Sequence, residues 1–148
     1  MIIRVSGLSL LPASARRPRA IAGVCRRALK AEKVRAGGEL NVVFLDRRRM
    51  RALNRRFLGR GHDTDVIAFG YAEDPGPVGS GRPFGDIFIS AFQARAQAAE
   101  QGHPVLAEVL FLAAHGALHL LGYDDATSRQ RAVMFRKQEH ILRGSPRA

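Results

Sequence analysis

Residues 104–125 read PVLAEVLFLAAHGALHLLGYDD, and this stretch decides the fold. Pro104 suits the first turn of a helix, where its missing N–H costs little, and Gly122 is a natural helix stop. Between them the side chains are almost all apolar, so the helix has little polar surface to expose to water. We therefore expect this helix to lie at the core.

Two histidines interrupt the apolar helix near its end. His115 and His119 are four residues apart, so their imidazoles would lie on one helix face and could share a cation. The chain turns after Gly122, and Asp124 or Asp125 could then offer a carboxylate oxygen as the third ligand. A fourth coordination position would stay open, as it does in catalytic rather than structural zinc sites.

The histidine spacing alone is a weak signal, because the chain has five histidines that could produce an accidental or structural pair. Two features favour a metal site. Histidines on an apolar helix need polar partners, and the turn after Gly122 supplies carboxylates. A zincin protease would carry a glutamate directly after its first histidine as general base. Gly116 occupies that position, which argues against protease chemistry.

The rest of the chain alternates strands and helices before helices dominate. Branched apolar segments predict strands at residues 2–5, 40–45, 64–69 and 86–89. Amphipathic segments and capping residues predict five helices. They run from Pro18 to near Gly37, over 47–57 after the cap Asp46, from the cap Ser90 to about 101, from Pro104 to the Gly122 stop, and over 127–142 with Thr127 as the cap. Residues 70–83, rich in Gly and Pro, predict a surface loop. The predicted fold class is therefore α+β, with a small mixed sheet of about four strands covered by helices and a metal site at the end of a late helix.

Length and charge narrow the function classes. The 148 residues fit one domain, residues 1–148. Lys and Arg number 24 against 13 Asp and Glu, and the net charge of +11 favours nucleic acid or an acidic membrane as partner. Arginine enrichment from a GC-rich genome is the alternative explanation. No apolar run approaches the ~18 residues of a membrane span. The single Cys25 excludes an internal disulfide, and we expect a buried thiol in a reducing cytoplasm.

The block HGALHLLGYDD, residues 115–125, resembles the signature of the YbeY family of bacterial endoribonucleases and ribosomal RNA maturation factors. Further landmarks between residues 40 and 142 resemble that family in order and spacing. They are Leu53, Asn54, residues 64–69, Gly85, Asp86, Ile87, Met134 and Glu139. The resemblance implies an α+β fold, one zinc ion held by three side chains of the block, and cleavage of single-stranded RNA.

Two positions depart from the family pattern. Asp125 stands where the family has its third histidine, so the implied metal ligands are His115, His119 and Asp125. A carboxylate still binds zinc, although it shifts the preference slightly toward manganese or iron. Asp124 would orient a metal-bound histidine or only cap the turn. Leu58 stands where many members place an arginine suited to gripping a phosphate.

For the remaining candidate residues, a structural explanation stands beside the functional one. Arg56 and Arg60 could bind phosphate in place of the arginine missing at Leu58, and exposed arginines without a function are the alternative. Structural roles are expected for Asp65 and Asp86, and Tyr123 is expected to pack. We expect His62 and His103 to be exposed in loops.

The resemblance implies a metal-dependent endoribonuclease that matures the 3′ end of small-subunit ribosomal RNA and serves ribosome quality control in the bacterial cytoplasm. Its implied partners are RNA and the ribosome or its assembly factors, with no membrane and no nucleotide cofactor. One alternative is a ribosome-assembly factor with a mainly structural metal, which the missing arginine at Leu58 favours. Another is a metal-dependent hydrolase of a different substrate, such as a peptide or a small molecule.

Overall fold

The computed structural model describes residues 1–34, 37–71 and 83–144. Within these ranges the strands are β1 (Ile2–Ser6), β2 (Glu39–Leu45), β3 (Val66–Gly70) and β4 (Pro83–Ser90). The helices are α1 (Pro18–Ala31), α2 (Arg47–Leu58), α3 (Ala91–Gln101), α4 (Val105–Leu120) and α5 (Ser128–Arg143). Two short 3₁₀ turns, Leu8–Leu10 and Ala13–Ala15, connect β1 to α1.

The four strands form one mixed sheet in the order β1-β2-β4-β3. Strands β1, β2 and β4 are parallel, and β3 pairs antiparallel with β4 at one edge. Val42 and Phe44 of β2 pair with Ile87 and Ile89 of β4, and all four side chains are buried on one face. This face is the floor of the hydrophobic core. The predicted α+β class with a small four-stranded mixed sheet is confirmed.

Helix α4 lies on this floor and is buried along most of its length. Gly116 faces the sheet, where an added Cβ would lie only 2.6 Å from Cγ2 of Ile87. A larger residue would push α4 away from β4. Gly116, which stands where a zincin protease has its glutamate, therefore has a packing role here. Helices α1 and α5 pack beside α4 and complete the core.

Helix α2 packs on the opposite face of the sheet. Phe88 of β4 alternates with the buried Ile87 and therefore points away from α4. The Phe88 ring meets Phe69 of β3 edge to face, and Phe69 meets Phe57 of α2 in the same way. This aromatic row joins the end of α2 to the edge strand β3.

Helix α1 is shorter than predicted. It ends at Ala31 rather than near Gly37, so that prediction was wrong. The chain leaves the helix because Lys33 adopts a positive φ of 56° and the Val34 N–H donates to the Leu29 carbonyl. A backbone reversal of this kind at a lysine has no clear sequence signal.

The predicted loop over residues 70–83 was too long at both ends. Gly70 belongs to β3 and pairs with Gly85, and Pro83 begins β4. The backbone pairing continues to Tyr71, whose N–H donates to the Phe84 carbonyl at 3.2 Å. The other part of that prediction, residues 72–82, lies outside the described residues.

Cys25 is fully buried, as predicted. Burial raises the pKa of its thiol to about 12, so the thiolate is disfavoured at neutral pH.

Along the described segments, no single helix is long and apolar enough to cross a membrane. Helices α3 and α4 meet the length and composition criteria only as a pair, bent by 119°.

Candidate metal centre

Helix α4 ends in a turn that directs the chain back toward its last residues. The Gly122 N–H donates to the His119 carbonyl at 3.1 Å, and the Tyr123 N–H donates to the Leu118 carbonyl at 3.0 Å. These two bonds form a Schellman motif, which needs a left-handed residue just beyond the helix. Gly122 supplies it with a φ of 97°. The glycine stop is therefore a turn of defined geometry.

The first turn of α5 holds the other end of the loop. Thr127 and Gln130 form a capping box, in which each side chain accepts a hydrogen bond from the backbone N–H of the other. Arg131 also donates to the Asp125 carbonyl at 3.3 Å. These contacts hold the backbone on both sides of Asp125.

Asp125 lies against the two histidines of α4. Nε2 of His115 and Nε2 of His119 are 3.0 Å apart, and Oδ2 of Asp125 is 3.2 Å from the first and 3.5 Å from the second. Donor atoms held at ~2.0–2.1 Å from a tetrahedral zinc are about 3.3 Å apart. The three separations thus fit three corners of such a site. Among the described residues, this is the one group of His, Cys, Asp or Glu side chains that could hold a metal ion.

The triad opens to solvent on one side. The side chains of His115 and His119 are 21% and 27% exposed, and that of Asp125 is 45% exposed. A fourth ligand could reach an ion held between them. Closed structural zinc sites instead take all four ligands from the protein.

The surroundings of His115 keep its imidazole ready to bind a cation. Burial lowers its pKa and the neighbouring His119 lowers it further, whereas Asp125 and Asp65 oppose the shift. A neutral imidazole has a free lone pair, and a protonated one does not. The lowered pKa therefore favours the ligand form.

Two residues that the sequence did not single out frame His115. The Phe111 ring stacks on its imidazole at 6.5 Å between centroids. Gln138 of α5 is buried, lies close enough to His115 to oppose the lowering of its pKa, and donates to the Phe111 carbonyl at 3.5 Å. Its position on the buried face of α5, between Met134 and Ile141, was the available signal, because a polar residue there needs a partner.

Other candidate residues lie outside the triad. Asp124 is exposed, and it makes no hydrogen bond or ion pair with any residue that the structure describes. Leu58 and Arg56 are exposed in the last turn of α2, and Arg60 is exposed just beyond it. The guanidinium of Arg56 lies over the Phe57 ring, 5.3 Å from its centroid.

Asp65 has hydrogen bonds typical of a structural residue. Its carboxylate accepts from the Val66 N–H at 2.8 Å and from Gln97 at 3.3 Å, at the start of β3. It is nonetheless close enough to His115 to raise that pKa.

Asp86 joins neighbouring strands. It accepts from Asn41 of β2 at 3.1 Å and from the Tyr71 hydroxyl at 2.7 Å. The hydrogen bond between Tyr71 and Asp86 raises the pKa of Tyr71 to about 12. Tyr123 packs against the core, as expected, and its hydroxyl donates to Glu32.

His103 does not behave as predicted. His62 is exposed, but His103 is only 33% exposed and its Nε2 lies 2.7 Å from Oε2 of the buried Glu108. The prediction failed because Glu108, in the first turn of α4, needs a partner and the turn at Gly102 brings His103 to it.

Residues 13–145 match the family described as Endoribonuclease YbeY. The chain belongs to the YbeY family. Two curated YbeY relatives, each named Endoribonuclease YbeY, come from Geobacillus. The protein of Geobacillus kaustophilus is 46% identical over 121 residues, which are 78% of either chain. That of Geobacillus thermodenitrificans is 45% identical over 123 residues, which are 79% of either chain. The resemblance seen in the sequence is confirmed.

A solved structure shares the fold of this YbeY family member. The solution structure of TM1509 from Thermotoga maritima has a TM-score of 0.59 and 23% sequence identity, and the match covers 95% of this chain and 85% of that one. At this identity the likeness is one of fold.

Proposed function

We propose that this YbeY family member is a metal-dependent endoribonuclease that cuts single-stranded RNA. The observation that carries the proposal is the triad of His115, His119 and Asp125, with donor atoms 3.0–3.5 Å apart, in a chain whose family is named for endoribonuclease activity. The three residues are the proposed metal ligands.

Zinc is the proposed ion, because two imidazoles and a carboxylate are typical zinc donors. The Asp125 oxygen also suits manganese or iron. When bound, such an ion acts as a Lewis acid on a phosphate oxygen and lowers the pKa of water. Gln138 and Phe111 orient the His115 ring, and the Asp125 carboxylate offsets part of the cation's charge.

RNA is the proposed substrate on grounds of charge as well as family. A net charge of +11 attracts a polyanion, and phosphate contacts release counterions from the RNA. RNA affinity should therefore fall steeply as salt rises. The finer proposal is a cytoplasmic role in maturing the 3′ end of small-subunit ribosomal RNA and in ribosome quality control, with the ribosome or its assembly factors as partners.

Metal analysis of matched aspartate variants tests the ligand set. Asp125→Ala should lose most of its zinc and its cleavage of single-stranded RNA, because a tetrahedral site loses one of three protein ligands. Asp124→Ala, one residue away and without a partner among the described residues, should retain about one equivalent. Equal zinc content in the two variants would remove Asp125 from the site.

The ribosomal role has a separate test in cells. Cells that lack the protein should accumulate small-subunit ribosomal RNA with an extended 3′ end. Wild-type protein should correct the defect, and Asp125→Ala should not. Full correction by Asp125→Ala would favour an assembly factor whose cleavage activity is dispensable.

A further inference from the structure

Two large apolar side chains are exposed in the last turn of α2. Phe57 is 54% exposed and Leu58 is 53% exposed. The Phe57 ring is held from one side by Phe69, at 5.1 Å between centroids, and Phe69 is held in turn by Phe88. The guanidinium of Arg56 lies over the same ring, 5.3 Å from its centroid, and more than half of Phe57 remains exposed to solvent. A fixed aromatic ring open to solvent is a surface on which a flat ligand can stack.

The arginines of α2 divide into two groups. Near the start of the helix, Arg47 and Arg51 each pair with Asp63 at 2.9 Å. Around Phe57, by contrast, three exposed arginines have no ion-pair partner among the described residues. They are Arg55, Arg56 and Arg60. We call these three arginines with Phe57 and Leu58 the α2-end patch. Its unneutralised charge and its aromatic ring complement a ligand that is both anionic and flat.

The patch lies across the edge strand β3 from the metal centre. Phe69 of β3 contacts the patch, and its neighbour Gly70 faces the other side, where an added Cβ would lie 3.8 Å from Leu120. Leu120 directly follows His119 in α4. Among the described strands, β3 has a partner only on its β4 side. A chain that crosses the outer edge of β3 could therefore reach both surfaces.

We propose that the α2-end patch holds single-stranded RNA for the metal centre, with a base stacked on Phe57 and neighbouring phosphates bound by Arg56 and Arg60. This inference rests on the proposed endoribonuclease function. Single-stranded RNA fits better than duplex RNA because its bases are free to stack, and better than an acidic protein because the exposed ring calls for a flat partner. Phe57 is thus a positioning residue for the substrate.

The absence of tryptophan from the chain allows a direct test. Phe57→Trp places one fluorescent indole in the patch, and Phe135→Trp places one at a similarly exposed site on α5, 50% exposed in the wild type. The zinc-loaded full-length variants are mixed with a single-stranded RNA oligonucleotide in a stopped-flow instrument, so that binding is recorded before turnover. RNA should quench Phe57→Trp saturably and leave Phe135→Trp nearly unchanged. Quenching of both variants or of neither would overturn the proposal.

Affinity measurements supply the second readout. Phe57→Ala should weaken binding of the same oligonucleotide by about 5- to 150-fold, the range expected for loss of one base–aromatic stack, with an unchanged melting temperature. Phe57→Tyr keeps a ring and should bind like the wild type. Unchanged affinity in Phe57→Ala would overturn the proposal, and so would quenching of Phe57→Trp by poly-glutamate but not by RNA, since that indicates a protein-docking surface.

RNA binding at the α2-end patch and RNA cleavage at the metal centre can be lost independently. If the wild type with zinc cuts the oligonucleotide and Phe57→Ala binds and cuts it equally well, only the RNA-binding role proposed for the α2-end patch is wrong. If Phe57→Trp is quenched but the wild type with zinc does not cut RNA, the patch binds RNA and the proposed endoribonuclease function is wrong.

Discussion

The two ends of helix α4 each hold a histidine–carboxylate cluster. The clusters differ in the number of residues and in the exposure of the carboxylate. At the beginning, His103 faces Glu108 at 2.7 Å, and the glutamate side chain is only 3% exposed although that of the histidine is 33% exposed. At the end, His115, His119 and Asp125 bring three donor atoms together, and each side chain is at least 21% exposed. The same residue types therefore form a closed pair at one end, so called because its carboxylate is buried, and at the other end an open triad whose carboxylate is exposed.

This difference indicates what separates a structural cluster from a binding site. In the closed pair each polar atom satisfies the other, and Glu108 also lies where the helix dipole favours a negative charge. In the open triad the three donors face one point. Two imidazoles and a carboxylate converging there are better satisfied by a cation than by one another. Histidine variants at the two ends should consequently have different effects.

The largest expected effect is on metal binding and RNA cleavage. His119→Ala should lower zinc affinity and cleavage by more than the ~10–100-fold that loss of a supporting partner typically costs, because it removes a donor atom itself. His103→Ala, the matched change at the other end of α4, should retain zinc and activity. Metal analysis and cleavage of a single-stranded RNA measure both. If His103→Ala lost as much zinc as His119→Ala, the distinction between the two ends would fail.

The second expected effect is on stability, and it should be found at the beginning of α4, where Glu108 lies. Glu108→Ala should lower the free energy of unfolding by about 1–3 kcal/mol, because it removes a buried partner of His103 and leaves space in the core. The matched change at an exposed glutamate of α3, Glu100→Ala, should stay within about 0.5 kcal/mol of wild type. Urea denaturation of the zinc-free proteins measures both. A Glu108→Ala variant as stable as Glu100→Ala would show that the closed pair does not stabilise the fold.

The smallest expected effect compares the glycines beside the two clusters. Gly102 and Gly122 have φ values of +70° and +97°, and an added Cβ at either position would meet no atom within 4 Å. Alanine at each should cost about 1–2 kcal/mol of stability, the price of a left-handed backbone with a side chain. Gly122→Ala should also weaken zinc binding by roughly 10-fold, because it disturbs the turn that positions Asp125. Calorimetric zinc titration of both variants checks this, and equal zinc affinities would mean that the turn does not position Asp125.

The local parts of the fold could be read from the sequence. Helix α4 and its glycine stop follow from apolar composition and Gly122, and the caps Asp46, Ser90 and Thr127 mark helix starts that the structure confirms. The end of α1 could not be predicted in this way. It depends on a positive φ at Lys33, a residue type that carries no such preference.

In the candidate site, too, local spacing predicted some relations and left others open. The four-residue spacing placed His115 and His119 on one face, because helical periodicity is a local property. The residues alone left Asp124 and Asp125 as equal candidates for the third ligand. The resemblance to the YbeY family favoured Asp125, and it is this side chain that lies 3.2 and 3.5 Å from the two imidazoles.

The sequence by itself determined the α+β class, the buried helix, the histidine pair and the family, because periodicity, capping and a contiguous motif are written along the chain. Only the tertiary structure decided which carboxylate meets the histidines, that Gln138 and Phe111 frame His115, and that His103 is tied to Glu108. It also placed the α2-end patch across β3 from the triad. These relations join side chains from separate elements, and their distances follow from how helices pack on a sheet, which no local pattern specifies.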